Sequence, residues 1–281
     1  MSNEKRKKAS RVQGGWAAPS ITNVRSDRDK PKMPIGPAWF GKNIDNPTIN
    51  EKHVYEKPAD EEIVQKPPDI IIKKQGIHDL SLEPSGVSRI RYFPHFLDES
   101  ESGTLFTELF HECPWHQRSD LKNGVSYIQP RLTAWFGDLP YSYSGQKLDP
   151  NTKWLPCLVT LKDHLEEVTG LKFNSLLANL YRDNHDSVDW HSDDEPELRK
   201  NPTIASLSFG DSRNFELRKK PPPEHANDFT NRQLVRLTLD AGSLLIMEGS
   251  VQDDWQHRVP KEYHDRGPRI NLTFRVIYPD S

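Results

Sequence analysis

The sequence predicts a mostly β fold of the α+β class, two sheets packed as a sandwich and braced by helices on one side. Three observations predict it. Short runs rich in β-branched and aromatic residues, bounded by turn residues, recur from residue 69 to residue 278. Only the stretches 98–111 and 155–169 carry a helical repeat of apolar residues. No internal repeat is present that would turn the pattern into a solenoid.

Taken in order, residues 1–68 read as a disordered, basic, Pro-containing tail. They hold 8 of the 23 prolines, many charges and no sustained periodicity, so they bury too little apolar surface to offset lost chain entropy. Within the tail, Lys5-Arg6-Lys7-Lys8 has the form of a nuclear import signal or a solvated terminus, and Trp16 and Trp39 have the form of short docking motifs. Asp69–Lys73 and Ser88–Phe93 read as strands. Asp98 to His111 reads as a helix, with Asp98 as cap, Glu101 three residues on, and Leu105, Phe106, Leu109 and Phe110 on one face. Residues 131–136 form a strand. A second helix covers 155–169, where Leu155, Leu158, Leu161, Leu165 and Val168 recur and Gly170 stands at the C-terminal cap. Strands follow at 173–182, 203–209, 213–218, 233–239, 242–247 and 269–278. Gly210-Asp211-Ser212 reads as a hairpin turn between two of them, and Pro221 to Asn231 as an exposed loop.

Composition narrows the function. No run approaches the roughly 20 apolar residues of a membrane helix, mean hydropathy is −0.81, and MSNEKRKKASR lacks the apolar stretch of a secretory signal. Cys113 and Cys157 are too few for a disulfide framework and point to a reducing compartment. Lys and Arg outnumber Asp and Glu 15 to 10 in residues 1–75 and are outnumbered 23 to 31 beyond. A basic tail on an acidic body suits polyanion contact or import.

The chemistry is concentrated in four places. In the strand Arg269–Arg275, Arg269, Asn271, Thr273 and Arg275 alternate with Ile270, Leu272 and Phe274. Leu177, Asn179 and Tyr181 alternate in the same way with Leu176, Ala178 and Leu180. If these polar faces turn inward they need a ligand, because buried polar groups must be paired. His191 and Asp193, two apart in an extended segment, point the same way, and His257 supplies a third metal candidate. A His-x-Asp pair, a later His and an Arg-rich strand have the form of a facial triad for non-haem Fe(II) with open coordination positions. Zinc competes, but a hydrolytic zinc site usually shows His-Glu-x-x-His, which is absent. Asp193→Ala is expected to abolish turnover and spare the fold.

The strings NLYRD (179–183), WHSDDEP (190–196), WQHRVPK (255–261) and PRINLTFR (268–275), with PRLTAWFG (130–137), LLIMEG (244–249) and RKKPPPE (218–224), resemble the AlkB family of Fe(II)/2-oxoglutarate dioxygenases over residues 85–281. The resemblance implies a double-stranded β-helix, or jelly-roll, core in a dioxygenase domain of residues 69–281. It implies His191, Asp193 and His257 as iron ligands and 2-oxoglutarate and dioxygen as cosubstrates. Arg269 would meet the distal carboxylate in a two-bond salt bridge. Tyr181 and Asn271 would add hydrogen bonds, and Asn179 and Arg275 would lie nearer the metal.

The activity implied is oxidative demethylation of 1-methyladenine and 3-methylcytosine in single-stranded DNA and RNA, a repair of alkylation damage that releases formaldehyde, succinate and carbon dioxide. Residues 115–145 read as the substrate cover: Trp115, Tyr127, Arg131, Trp135, Tyr141 and Tyr143 interleave aromatics with Arg118 and Lys122. Leu177 and Asp194 complete the substrate set, Asp194 as a carboxylate for a cationic base. Arg218, Lys219 and Lys220 end a hairpin where they could follow phosphates. A monomer is expected, and the lack of targeting features beyond the basic N-terminus leaves nucleus and cytoplasm both open; the resemblance further implies unwound strands supplied by the helicase of the activating signal cointegrator complex. A dioxygenase of protein or lipid, and a silent binding module, are the competing readings.

Overall fold

A computed structural model describes residues 66–122, 125–143 and 146–279. The expectations for Lys5–Lys8, Trp16, Trp39 and the rest of the tail before residue 66 lie outside the described residues. Strands β1 (Ile70–Ile72), β2 (Gly76–Glu83) and β3 (Gly86–Phe93) precede helix α1 (Glu99–Glu112). Next come β4 (His116–Lys122), β5 (Val125–Gly137), the short pair β6 (Tyr141–Tyr143) and β7 (Gln146–Leu148), and helix α2 (Pro156–Thr169). The rest of the chain supplies β8 (Ser175–Tyr181), β9 (Val188–His191), β10 (Ile204–Gly210), β11 (Arg213–Lys219), β12 (Leu234–Leu239), β13 (Leu244–Gly249), the single turn α3 (Val251–Asp254), β14 (Trp255–Val259) and β15 (Arg269–Arg275).

Both helices form where the apolar repeat places them. The Asp98 carboxylate accepts the Glu101 N–H at 2.8 Å and caps α1. Pro156 opens α2 without losing a hydrogen bond, and Gly170 closes it in the left-handed region at φ 70°.

The strands build two facing sheets. The larger runs β2-β3-β13-β10-β15-β8-β5-β4, the smaller β1-β12-β11-β14-β9. Period-two alternation then sorts the side chains. On the outer face of the large sheet, Ala134, Phe136, Leu176, Ala178, Leu207, Ile270, Leu272 and Phe274 pack with Leu109, Leu158, Leu161 and Leu165 of the two helices. Between the sheets, Ile90, Tyr92, Leu245 and Met247 meet Phe215, Leu217, Leu237 and Trp255. This is the two-sheet jelly-roll arrangement, with helices on one side. Among the described residues no helix is long and apolar enough to cross a membrane.

One turn differs from expectation. Gly210-Asp211-Ser212 does not close a hairpin: β10 pairs with β13 and β15, while β11 pairs with β12 and β14 in the other sheet. The segment is a corner between sheets. Gly210 holds φ 80° there, and a Cβ would come within 2.4 Å of the Pro268 carbonyl oxygen. Alternation identifies a strand but not its partner, so the corner was indistinguishable from a hairpin in the sequence.

Candidate active site

The two histidines come from neighbouring strands of the small sheet. His191 ends β9 and lies directly opposite His257 on β14. Directly opposed residues put their side chains on one face, and here the ring centroids are 4.2 Å apart. Asp193, two residues past β9, brings its Oδ1 to 3.9 Å from His191 Nε2. One ligand atom from each of His191, Asp193 and His257 lies within 4.8 Å of the other two.

The protonation states suit a cation. Burial pushes the His257 imidazolium down to about 3, and neighbouring His191 pushes the same way. Burial also lowers His191. The Asp189 carbonyl, 2.8 Å from His191 Nδ1, can only accept, so Nδ1 carries the proton and Nε2 keeps its lone pair. Burial alone would raise Asp193, but Arg275, His257 and His191 outweigh it and hold the carboxyl well below its usual range. Asp193 Oδ1 and His257 Nδ1 are buried without a hydrogen-bond partner among the described residues. Two neutral imidazoles and one carboxylate with an orphaned oxygen fit Fe(II).

Two contacts that support this triad are visible only in the structure. Arg275 Nη2 donates to Asp193 Oδ2 at 2.7 Å, both side chains being buried. Asp193 is therefore a core ion-pair partner as well as a candidate ligand, so its removal is expected to cost stability as well as metal. Gln252 of α3 is the second support. Its buried side-chain Oε1 accepts the Asp193 N–H at 3.0 Å, and its Nε2 points at Met247 Sδ, 3.6 Å away. Only its nearness in sequence to His257 hinted at a role.

Beside the triad a cavity opens between the sheets, lined by Leu177, Asn179, Tyr181, Ser206, Asn271, Thr273 and Arg275 among others. β8 and β15 run antiparallel with Asn179 opposite Asn271, Tyr181 opposite Arg269 and Leu177 opposite Thr273, so the two polar alternations line one wall. Asn271 Nδ2 donates to Ser206 Oγ at 2.8 Å. Arg269 is 1% exposed; its Nη2 donates to Ser208 Oγ at 2.9 Å, while Nε and Nη1 have no hydrogen-bond partner among the described residues. Burial lowers its pKa to about 10, which still leaves it charged at neutral pH. A buried cation with spare donors and no carboxylate partner among the described residues calls for an anionic ligand.

The expected substrate residues divide. Leu177 lines the cavity, and Tyr127 on the β4–β5 hairpin is 42% exposed. Asp194 is exposed beside the triad, 3.9 Å from Lys220 Nζ. Arg131 is buried, and its Nε donates to Asn179 Oδ1 at 3.1 Å; it braces the cavity wall and presents no exposed cation to a strand. Tyr141 is fully buried and stacks on Trp135 with centroids 4.7 Å apart, so it is core and not an open platform. Trp115 packs on the helix side, with Nε1 donating to the Phe110 carbonyl, and does not line the cavity. An aromatic-rich hairpin does not reveal which face each ring takes, least of all beside the register shift after Gln117. Tyr143 lies in β6; its side chain and that of Lys122 lie outside the described part.

The Arg218–Lys220 tip is also corrected. Arg218 bonds Gln256 and lies over the rings of Trp190 and Phe229. Lys219 pairs with Glu83, and Lys220 donates to the Gln252 carbonyl at 2.8 Å. These cations fasten the rim of the small sheet.

Comparison with known proteins adds to this geometry. The 2OG-Fe(II) oxygenase superfamily profile matches residues 89–275. The chain is 50% identical over 283 residues to "Alpha-ketoglutarate-dependent dioxygenase alkB homolog 3" of Mus musculus, covering 99% of this chain and 98% of the relative. The Homo sapiens protein of that name is 49% identical, with 99% and 97% covered. "DNA oxidative demethylase ALKBH2" of Homo sapiens is 41% identical over 186 residues, covering 64% of this chain and 70% of the relative.

Proposed function

Because the chain belongs to the 2OG-Fe(II) oxygenase superfamily, and within it to the AlkB family, we propose that it demethylates 1-methyladenine and 3-methylcytosine in single-stranded DNA and RNA. It is an Fe(II)- and 2-oxoglutarate-dependent dioxygenase acting on nucleic acid. Iron and 2-oxoglutarate, when bound, supply the oxidising chemistry: dioxygen is divided between succinate, formed with carbon dioxide, and the N-methyl carbon, which leaves as formaldehyde.

The residues do the rest. His191, Asp193 and His257 hold the metal, and Arg275 keeps Asp193 ionised at 2.7 Å. Arg269, with Tyr181 and Asn271, receives the distal carboxylate on a guanidinium that still carries spare donors. Asn179, held by Arg131, and Arg275 face the metal end. Leu177 borders the space for the base, Asp194 attracts its positive charge, and Tyr127 covers it. An unstacked base reaches such an enclosed site most cheaply from a single strand. The dioxygenase domain is 69–281, preceded in sequence by the basic tail 1–68, and works as a monomer in nucleus and cytoplasm. The activating signal cointegrator complex helicase is the proposed source of unwound strands.

The observation that carries the reading is the buried triad opening on a cavity near an arginine that lacks a counter-charge. The test is incubation with Fe(II), ascorbate, 2-oxoglutarate and methylated single-stranded oligonucleotides, followed by mass spectrometry. Loss of one methyl group with matching succinate is expected. Succinate without demethylation would transfer the reading to a protein or lipid substrate, and neither product would overturn it.

A further inference from the structure

A second concave site lies a short way from the metal cavity. It is a cleft of about 490 Å³, bordered by Lys172, Leu198, Arg199, Lys200, Asn201 and Tyr278 among others. Two stretches of chain join the two sites. The loop leaving Asp193 passes through the turn Pro196–Leu198 to Arg199. Tyr278 stands three residues beyond Arg275, roughly 10 Å of extended chain. Leu198 borders the cleft and packs in one buried cluster with Leu177, which lines the metal cavity.

The cleft is positive on an otherwise acidic body. Among the described residues no Asp or Glu lines it. Lys172 is spoken for by Glu166 at 2.7 Å, but Arg199 and Lys200 are exposed and make no carboxylate ion pair within the described part of the chain. The Arg199 guanidinium lies 3.8 Å over the centre of the Tyr278 ring. Stacking on a ring face orients the guanidinium and uses none of its five N–H donors. Arg199 also holds φ 59° and ψ −169°, a backbone region that is essentially reserved for glycine. A side chain kept against that strain, oriented by an aromatic ring and lacking an anion, is a site awaiting one.

We propose that Arg199 and Lys200 bind the phosphodiester backbone of the substrate strand where it leaves the target base. This rests on the nucleic-acid reading of the metal site and adds to it a second anchor that determines how long a strand the enzyme prefers. Tyr278 orients the Arg199 plane, which suits two-point contact with a phosphate.

The experiment uses the full chain, Arg199→Gly and Lys200→Ala, with a methylated 20-nucleotide strand and a methylated trinucleotide. Binding of the 20-mer is measured against salt, and KM is measured for both lengths. Each substitution is expected to lower the slope of log affinity against log salt by about 0.7, the value for one phosphate on a single strand. The two together are expected to raise KM for the 20-mer about tenfold and to leave the ratio of kcat values unchanged. KM for the trinucleotide is expected to change less than twofold. Arg199→Gly should melt no lower than the parent, since glycine relieves the backbone; a purely structural stack would instead lose stability. Unchanged slope and KM for the 20-mer, or equal KM changes at both lengths, would overturn the proposal. If an acidic peptide binds the cleft and the strand does not, the site belongs to a protein partner and the proposal fails. Failure of the parent protein to demethylate either oligonucleotide would instead strike the underlying reading.

Discussion

Asp193 and Arg275, 82 residues apart in the chain, share a 2.7 Å charge-assisted hydrogen bond inside the domain, with side chains 2% and 4% exposed. The pair unites the loop after β9 with the end of β15, and thus the small sheet with the large one. It leaves Asp193 Oδ1 without a hydrogen bond at the point where the two histidine rings meet.

Asp193→Ala is expected to remove metal binding and also to destabilise the fold by about 3–5 kcal/mol, because it strands a buried guanidinium. Asp193→Asn keeps the shape and a hydrogen-bond acceptor, and should lose less stability while still binding metal poorly. Urea unfolding of the metal-free proteins, alongside Co(II) titration followed by visible absorption, checks both. An Ala variant as stable as the parent would mean that the ion pair carries no net weight.

Arg269→Lys is expected to weaken 2-oxoglutarate binding by about 10- to 100-fold, the scale of one lost charge-assisted hydrogen bond of about 1.5–3 kcal/mol. Metal affinity should hardly move. Calorimetry with Mn(II)-loaded protein and 2-oxoglutarate measures the first, and the metal titration the second. Equal losses in both would place Arg269 at the metal.

Gln252→Leu is expected to lower metal affinity about 10-fold or more, as loss of an outer hydrogen-bond partner of a ligand does. The Asp193 N–H loses its acceptor at 3.0 Å, so the ligand loop is free to shift. Gln252→Glu keeps an acceptor oxygen and should restore part of the affinity. A shifted Co(II) spectrum in the Leu variant is the signature that simple destabilisation would not produce.

Glu166 offers a pH test away from the site. Burial would raise its pKa, but Lys172, the Phe173 N–H and Lys162 outweigh that and lower it to about 2. A carboxyl lowered on folding stabilises above its unfolded value, about 4.3, and that contribution fades as pH falls toward the folded value. Glu166→Gln should therefore cost about 1–2 kcal/mol at pH 7, and the gap in melting temperature should narrow below about pH 4. A constant gap from pH 7 to pH 3 would remove the ionic part of the argument.

The two helices and the Arg269–Arg275 strand were legible because each carries a regular alternation over a whole element. In β15 that pattern also announced a pocket, since its polar positions proved as buried as its apolar ones. Strands β9 and β14 were harder. Each spans only a few residues, and their ladder shifts register between His257 and Val259, so the ligands were visible as spacing but not as strand partners. Gln252 could not be foreseen, because its role depends on a turn that returns it to the Asp193 backbone. Trp115 and Tyr141 were misread for a related reason: residue type says that a ring is present, and only the register says which layer owns it.

The corner at Gly210 carries a consequence for how the protein can be divided. Because the chain changes sheets there, a cut at residues 210–212 would leave each fragment with strands whose hydrogen-bonding neighbours belong to the other piece. β10 would lose β13 and β15, and β9 would lose β14 with its histidine. Neither fragment keeps a complete set of strand partners, so neither is expected to fold as a self-sufficient module.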